Sequence, residues 1–269
     1  MEESQKVEES SSRSARVAAK SASRKDTRSP LRRVLDGVRE FVIIVVVALL
    51  VATLLKTFVA QMFIIPSQSM EDTLEINDRV VAMKITKYER GDIIVFEDKM
   101  GWLPAAAPPS QVQKVLEFVG VLPASGDQYL VKRLIGLPGD HVVCCSATGK
   151  IMVNGVPLDE SSYLYPNADG TTVKPSEVAF DIVVPAGRVF VMGDHRNRSA
   201  DSRYHLCDTR LGTKGLAAFP AITSIQGPVR ATGYPFARAR TFAVPETFKN
   251  VPAAISDPTS SPQITVANC

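Results

Sequence analysis

From Phe41 to Leu55 the sequence reads FVIIVVVALLVATLL, without a single charge. Widened to Val38–Val59 the run reaches about 22 residues, interrupted only near its ends by Arg39, Glu40 and Lys56; about 20 apolar residues suffice to cross a bilayer. We therefore expect a transmembrane helix over residues 38–59. The first forty residues carry ten Lys or Arg against seven acids, with Arg32, Arg33 and Arg39 close to the run. That basic excess puts the preceding segment in the cytoplasm and everything beyond residue 60 outside, making a single-pass protein of the cell membrane. Residues 1–37 mix charge and serine with few bulky apolar side chains, the composition of a disordered tail. A cleaved signal sequence is the competing reading. Its charged region would be about 40 residues long, however, and no A-x-A site follows the run: Ala60 is small but Phe58 is not.

The remaining length suits one principal domain, expected over 60–244, with a disordered Pro/Ser/Thr-rich tail over 245–269. With 31 basic and 28 acidic residues no one-sign field dominates, which argues against a nucleic-acid partner. Three scattered histidines without a carboxylate-rich ligand set argue against a metal. Of the four cysteines, the adjacent Cys144 and Cys145 are expected to pack as small hydrophobic side chains near a strand. A disulfide to Cys207 cannot be decided from sequence.

Beyond the apolar run the pattern changes from long to short. Asp78–Lys84, Asp92–Phe96, Tyr129–Ile135, His141–Val143, Lys150–Val153, Phe180–Val184 and Arg188–Met192 are β-branched, and most end at Gly, Pro or Asp. Arg90-Gly91-Asp92, Pro138-Gly139-Asp140 and Asn154-Gly155 supply turns between them. No long amphipathic helix competes, so the fold class is mostly β: an N-terminal membrane helix followed by an antiparallel sheet or barrel-like domain. The proline-rich stretch from Gly101 to Gln128 reads as a loop insertion with one short helix near Val112–Val119.

Three blocks carry chemistry. Pro66-Ser67-Gln68-Ser69-Met70 is a polar turn set directly after the apolar run; alone, such serines are ordinary turn residues. Lys132 lies inside the apolar strand YLVKRLIGLPGD, where alternation points it to the side of Leu130 and Leu134. A free lysine, with a pKa of about 10.4, is neutral about once in a thousand near pH 7.4. Burial penalises its charge and lowers that pKa, so a desolvated lysine beside a serine hydroxyl can take the serine's proton, replacing the His and Asp of the usual triad. Taken alone, Lys132 could equally be an edge-strand lysine reaching solvent. The third block, MGDHRNRSADSR from Met192 to Arg203, holds more hydrogen-bonding groups than a loop needs.

In this order behind an N-terminal anchor, IPSQSM, LVKRLIGLPGD and MGDHRNRSADSR resemble the bacterial type I signal peptidases, over about residues 38 to 205. The resemblance implies a Ser/Lys serine endopeptidase that needs no cofactor or metal and cuts signal peptides from exported preproteins at the bilayer surface. It implies that Ser69 is the nucleophile, Lys132 the general base, and Ser67 an oxyanion-hole donor beside the Ser69 N–H. It further implies that Ser199 orients the lysine and that Asp201 and Arg203 form a supporting ion pair. Phe63, Ile65, Met70 and Val131 match positions lining shallow pockets for small residues before the cut. Asp72 stands where the family usually has Pro and Arg198 where Asn is common, and His205–Lys214 diverges from the usual ending. A self-cleaving repressor also uses Ser and Lys on β structure but would carry a DNA-binding helix-turn-helix and no membrane span. A non-catalytic single-pass protein with a β ectodomain would need none of Ser69, Lys132 and Ser199.

Overall fold

The computed structural model describes residues 30–104, 110–112, 114, 128–254 and 257–266. The first element, α1, runs from Pro30 to Phe58, eight residues earlier than the apolar run suggested. Leu31–Phe58 is long and apolar enough to cross a membrane, and its Leu, Ile, Val and Phe side chains are exposed along its length, as a lipid-facing helix requires.

The β region forms two open antiparallel sheets. The larger is built from β1 (Ala60–Ile64), β2 (Arg79–Met83), β3 (Ile93–Glu97), β4 (Tyr129–Gly136), β9 (Phe190–Met192), β10 (Ile225–Tyr234) and β11 (Arg240–Thr241). Its order is β1-β2-β10-β3-β4-β9, with β11 paired to β10. The smaller is built from β5 (His141–Cys144), β6 (Ile151–Val153), β7 (Val156–Pro157), β8 (Phe180–Val183) and β12 (Gln263–Val266), in the order β12-β8-β5-β6-β7. All seven strands expected from β-branched runs are present. Asn154 and Gly155 join β6 to β7 with both φ angles positive, which a tight hairpin turn requires and which Asn and Gly adopt at least cost.

The molecule departs from the expectations above in two places. Residues 245–269 are not simply a disordered tail: Phe248 and Val251 are buried in the core beside Phe190 and Phe219, and β12 pairs with β8 from Gln263 to Val266. Cys144 and Cys145 are not separate thiols but are disulfide-bonded to each other, with Cys144 buried. Cys207 is also disulfide-bonded. The short helix expected near Val112–Val119 lies mostly outside the described residues.

Strand β4 runs through the interior of the larger sheet. It sits between β3 and β9, and from Val131 to Gly136 every residue is buried. Neighbouring side chains on a strand point to opposite faces, so Lys132 and Arg133 put one cation into each side of the sheet. A buried charge is costly unless paired, and the two solve this differently.

Candidate functional site

Arg133 has a hydrogen-bond partner on each of its three guanidinium nitrogens. Its guanidinium binds Asp194 through Nε at 2.8 Å and Nη2 at 2.6 Å, donates to the Gly91 carbonyl at 2.7 Å and lies 4.1 Å over the Tyr163 ring. Thr73 donates to the same Asp194 carboxylate at 2.7 Å. This bidentate pair ties β4 both to the 192–203 segment and to the turn after Met70.

Among the described residues no carboxylate lies within ion-pair distance of the Lys132 amine. Instead Nζ lies 2.5 Å from Ser69 Oγ, with Lys132 3% and Ser69 6% exposed. Burial is the main reason that the Lys132 pKa falls from 10.5 to about 8; Asp201 and Asp194 oppose the fall from a distance and Arg203 assists it. An amine near pKa 8 has an appreciable neutral population at neutral pH, and a neutral amine next to a hydroxyl can accept its proton.

The serine is held as firmly as the lysine. After β1 the chain passes through an extended Ser67 into a short 3-10 turn, Gln68–Met70, anchored by Met70 and Leu74, which are 1% and 0% exposed. The Ser69 carbonyl accepts from the His195 N–H at 3.1 Å. Ser67 Oγ donates to Ser69 Oγ at 3.3 Å, so the two hydroxyls share one small region. Asp72 follows with φ of 74°, its carbonyl accepting from Arg240 at 2.6 Å. Proline cannot adopt that angle, so the proline that the resemblance leads one to expect here would not fit this turn.

The 192–203 segment is braced by buried ion pairs. Arg203 grips Asp201 through Nε and Nη2, both at 2.8 Å, and Asp201 also accepts from the Gly193 N–H at 2.9 Å. Burial alone would raise the Asp201 carboxyl, but Arg203 holds it below its usual range. Arg196 pairs with Glu160. Ser199 is 3% exposed, and its hydroxyl, near enough to Asp201 to help hold that pKa down, makes no well-formed hydrogen bond and none to Lys132. Gly193 allows the close approach: a Cβ there would sit 2.3 Å from Ser199 Oγ and 2.4 Å from the Ser69 carbonyl oxygen.

Phe63, Ile65, Met70 and Val131 meet in one apolar cluster, and the Phe63 ring lies 4.8 Å from that of Tyr129 on β4. The structure therefore brings Ser67, Ser69 and Lys132 together and places the Asp201–Arg203 pair and Ser199 in the buried 192–203 segment, while the four apolar residues form a cluster of their own beside the turn that bears Ser69. Missed in the sequence were the Arg133–Asp194–Thr73 tie, the Arg196–Glu160 pair, Arg240, and His195 with its partner Glu71. For Arg133 a signal existed, since a second cation in an apolar strand demands a buried acid.

A serine hydroxyl on a buried lysine, carried by antiparallel sheet, is the outline of a serine peptidase. The family described as signal peptidase, peptidase S26, matches residues 38–230, and the chain belongs to it. A probable signal peptidase I of Mycobacterium leprae is 40% identical over 187 residues, 60% of this chain and 61% of that protein. Signal peptidase I of Mycobacterium tuberculosis is 36% identical over 202 residues, 68% of this chain and 67% of that one. The chain thus spans about three-fifths to two-thirds of these relatives' length. Signal peptidase I U of Bacillus subtilis is 32% identical over 170 residues, 59% and 75% of the two chains. A crystal structure of a signal peptidase I from Enterococcus faecalis V583 covers 54% of this chain and 97% of its own at 26% identity, with a TM-score of 0.30.

Proposed function

We propose that the chain is a single-pass membrane serine endopeptidase that removes signal peptides from exported preproteins, with Ser69 as nucleophile and Lys132 as general base. The observation that carries this reading is the 2.5 Å approach of the Lys132 amine to Ser69 Oγ at a site where both side chains are buried.

Neutral Lys132 takes the hydroxyl proton as Ser69 Oγ attacks the scissile carbonyl, and the new oxyanion accepts from Ser67 Oγ–H and the Ser69 N–H. A donor so aimed contributes about 3 to 4 kcal/mol. Collapse breaks the C–N bond, and the Lys132 ammonium gives its proton to the leaving amine. Water, deprotonated by the same amine, then releases the signal peptide from Ser69. These proton and acyl transfers call for no metal or cofactor. Asp201 and Arg203 brace the segment behind the lysine, and Ser199, buried in that segment, is the residue assigned to orient the amine. The apolar cluster of Phe63, Ile65, Met70 and Val131 accepts small residues, favouring Ala at the first and third positions before the cut. The basic residues before α1 keep the N-terminus cytoplasmic, leaving the β region where exported chains emerge.

The test is cleavage of a preprotein by the full chain in detergent, read as a shift in size and by the new N-terminus. Ser69→Ala and Lys132→Ala each abolish the shift; processing retained by both variants ends the proposal.

A further inference from the structure

The turn bearing Ser69 is gripped from outside by a histidine that the chemistry above does not use. His195 is 4% exposed. Its ring Nδ1 lies 2.9 Å from Glu71 Oε2, two residues beyond Ser69, and because a carboxylate accepts, the imidazole donates. The flat of the ring is stacked on Tyr165 at 3.8 Å between centroids and 3° between planes. Its own N–H donates to the Ser69 carbonyl. Three residues on, Arg198 donates to Gln68 Oε1 at 2.5 Å. The 195–198 segment thus ties the turn at residues 68, 69 and 71, on both sides of the serine hydroxyl.

Hydrogen bonds at that spacing fix both the position and the rotation of the turn. Ser69 N–H and Oγ share that rotation, so the bond from Oγ to Lys132 and the aim of the oxyanion donor depend on it. The stacking on Tyr165 removes the ring's freedom, so the hydrogen bond to Glu71 is made by a donor already in place. We infer that His195 is a positioning residue for the nucleophile, acting through its hydrogen bond to Glu71, with Tyr165 holding the ring. This inference rests on the assignment of Ser69 as nucleophile.

Steady-state kinetics on a preprotein, with the full chain in detergent, separate positioning from stability. His195→Ala is expected to lower kcat roughly 10- to 100-fold, the scale of a displacement of about 1 Å, with KM within twofold of the parent. His195→Asn keeps an N–H donor near the place of Nδ1 without the ring, and is expected to recover most of kcat while its Tm stays low. Tyr165→Leu, which removes the stack and leaves both hydrogen-bonding groups, lowers Tm with a smaller effect on kcat. Glu71→Ala and the double variant with His195→Ala should lose no more than the worse single variant, because the two residues act through one bond.

An unchanged kcat in His195→Ala, losses that multiply in the double variant, or kcat tracking Tm through the four single variants overturns the inference. Ser69→Ala is run alongside. If it is inactive while His195→Ala is fully active, the positioning role alone fails; if Ser69→Ala still cleaves, the protease reading fails first.

Discussion

Replacing Lys132 by Met should silence the site and make the protein more stable. Lysine in an unfolded chain titrates near 10.5, whereas buried in β4 it titrates at about 8. Holding a proton at this position therefore costs about 2.5 pKa units, or about 3 kcal/mol at 1.36 kcal/mol per unit. Because the folded pKa lies below the unfolded one, the penalty is complete below pH 8. It fades as pH rises from 8 to 10.5, where the unfolded chain still holds the proton and the folded one has released it. Methionine, of similar length and neutral, carries no such penalty but loses the hydrogen bond to Ser69, worth about 1 kcal/mol. The net gain near pH 7 is about 2 kcal/mol, or about 4–8 °C in Tm at roughly 2–4 °C per kcal/mol. Thermal unfolding of both proteins in the same detergent between pH 6 and 11 measures it, since groups common to both cancel in the difference. The Lys132→Met advantage should be largest at low pH, shrink above pH 8, cross zero near pH 10, and leave the parent ahead by up to about 1 kcal/mol by pH 11, where only the lost hydrogen bond remains. A variant less stable than the parent at pH 7, or an advantage that ignores pH between 8 and 10.5, would refute the burial argument and with it the source of the neutral amine.

The same pKa governs rate: with about one amine in five neutral at pH 7.4, kcat/KM should rise roughly fivefold toward a plateau above pH 9, on a single ionisation near 8; a flat profile over this range contradicts it. Gly193→Ala should cost at least about 100-fold in kcat, because its methyl would sit within 2.6 Å of Ser199 Oγ, Ser199 Cβ and the Ser69 carbonyl oxygen, and the nucleophile's backbone must give way; unaltered kinetics would show that the turn has slack. Asp72→Pro, although it installs the family's usual residue, should lower both Tm and activity, since φ is 74° and the Asp72 N–H bond to Glu75 at 3.2 Å is lost. Asp72→Gly should leave activity intact and gain up to about 1 kcal/mol in denaturant unfolding.

How far each element could be read in advance has a physical basis. Strands β2 to β6, β8 and β9 announced themselves, because β-branched runs between turn residues have few other ways to fold. β10 did not: Gly227, Pro228 and Gly233 argue against a central strand, yet it lies between β2 and β3 with its register shifting along both. Gly227 is there because a Cβ would lie 2.4 Å from the Met83 carbonyl oxygen, a constraint visible only once the strands are assembled. Phe248 lay inside a polar, proline-rich stretch that hid a core residue. In the site, Lys132 stands out as a cation within an apolar strand, whereas Ser69 reads on its own as a turn serine and is marked only by the resemblance of its block to the family. The His195–Glu71 contact spans 124 positions and the Arg240 contacts up to 168, and no local pattern in the chain marks either pair. For Cys144 and Cys145 the reverse holds: the burial usual for a single cysteine says nothing of the bond that the two make with each other.

The two cations side by side on β4 make its register a matter of function as well as folding. Slipping the strand by one position would exchange the faces of residues 132 and 133, presenting to the serine a guanidinium that never gives up its charge in a protein. Such a misaligned molecule would lose the Arg133–Asp194 pair and hold a permanent acid where a base belongs. Pairing Arg133 with Asp194 therefore does more than neutralise a stray charge, because it makes the inert alignment the one that leaves a carboxylate unanswered.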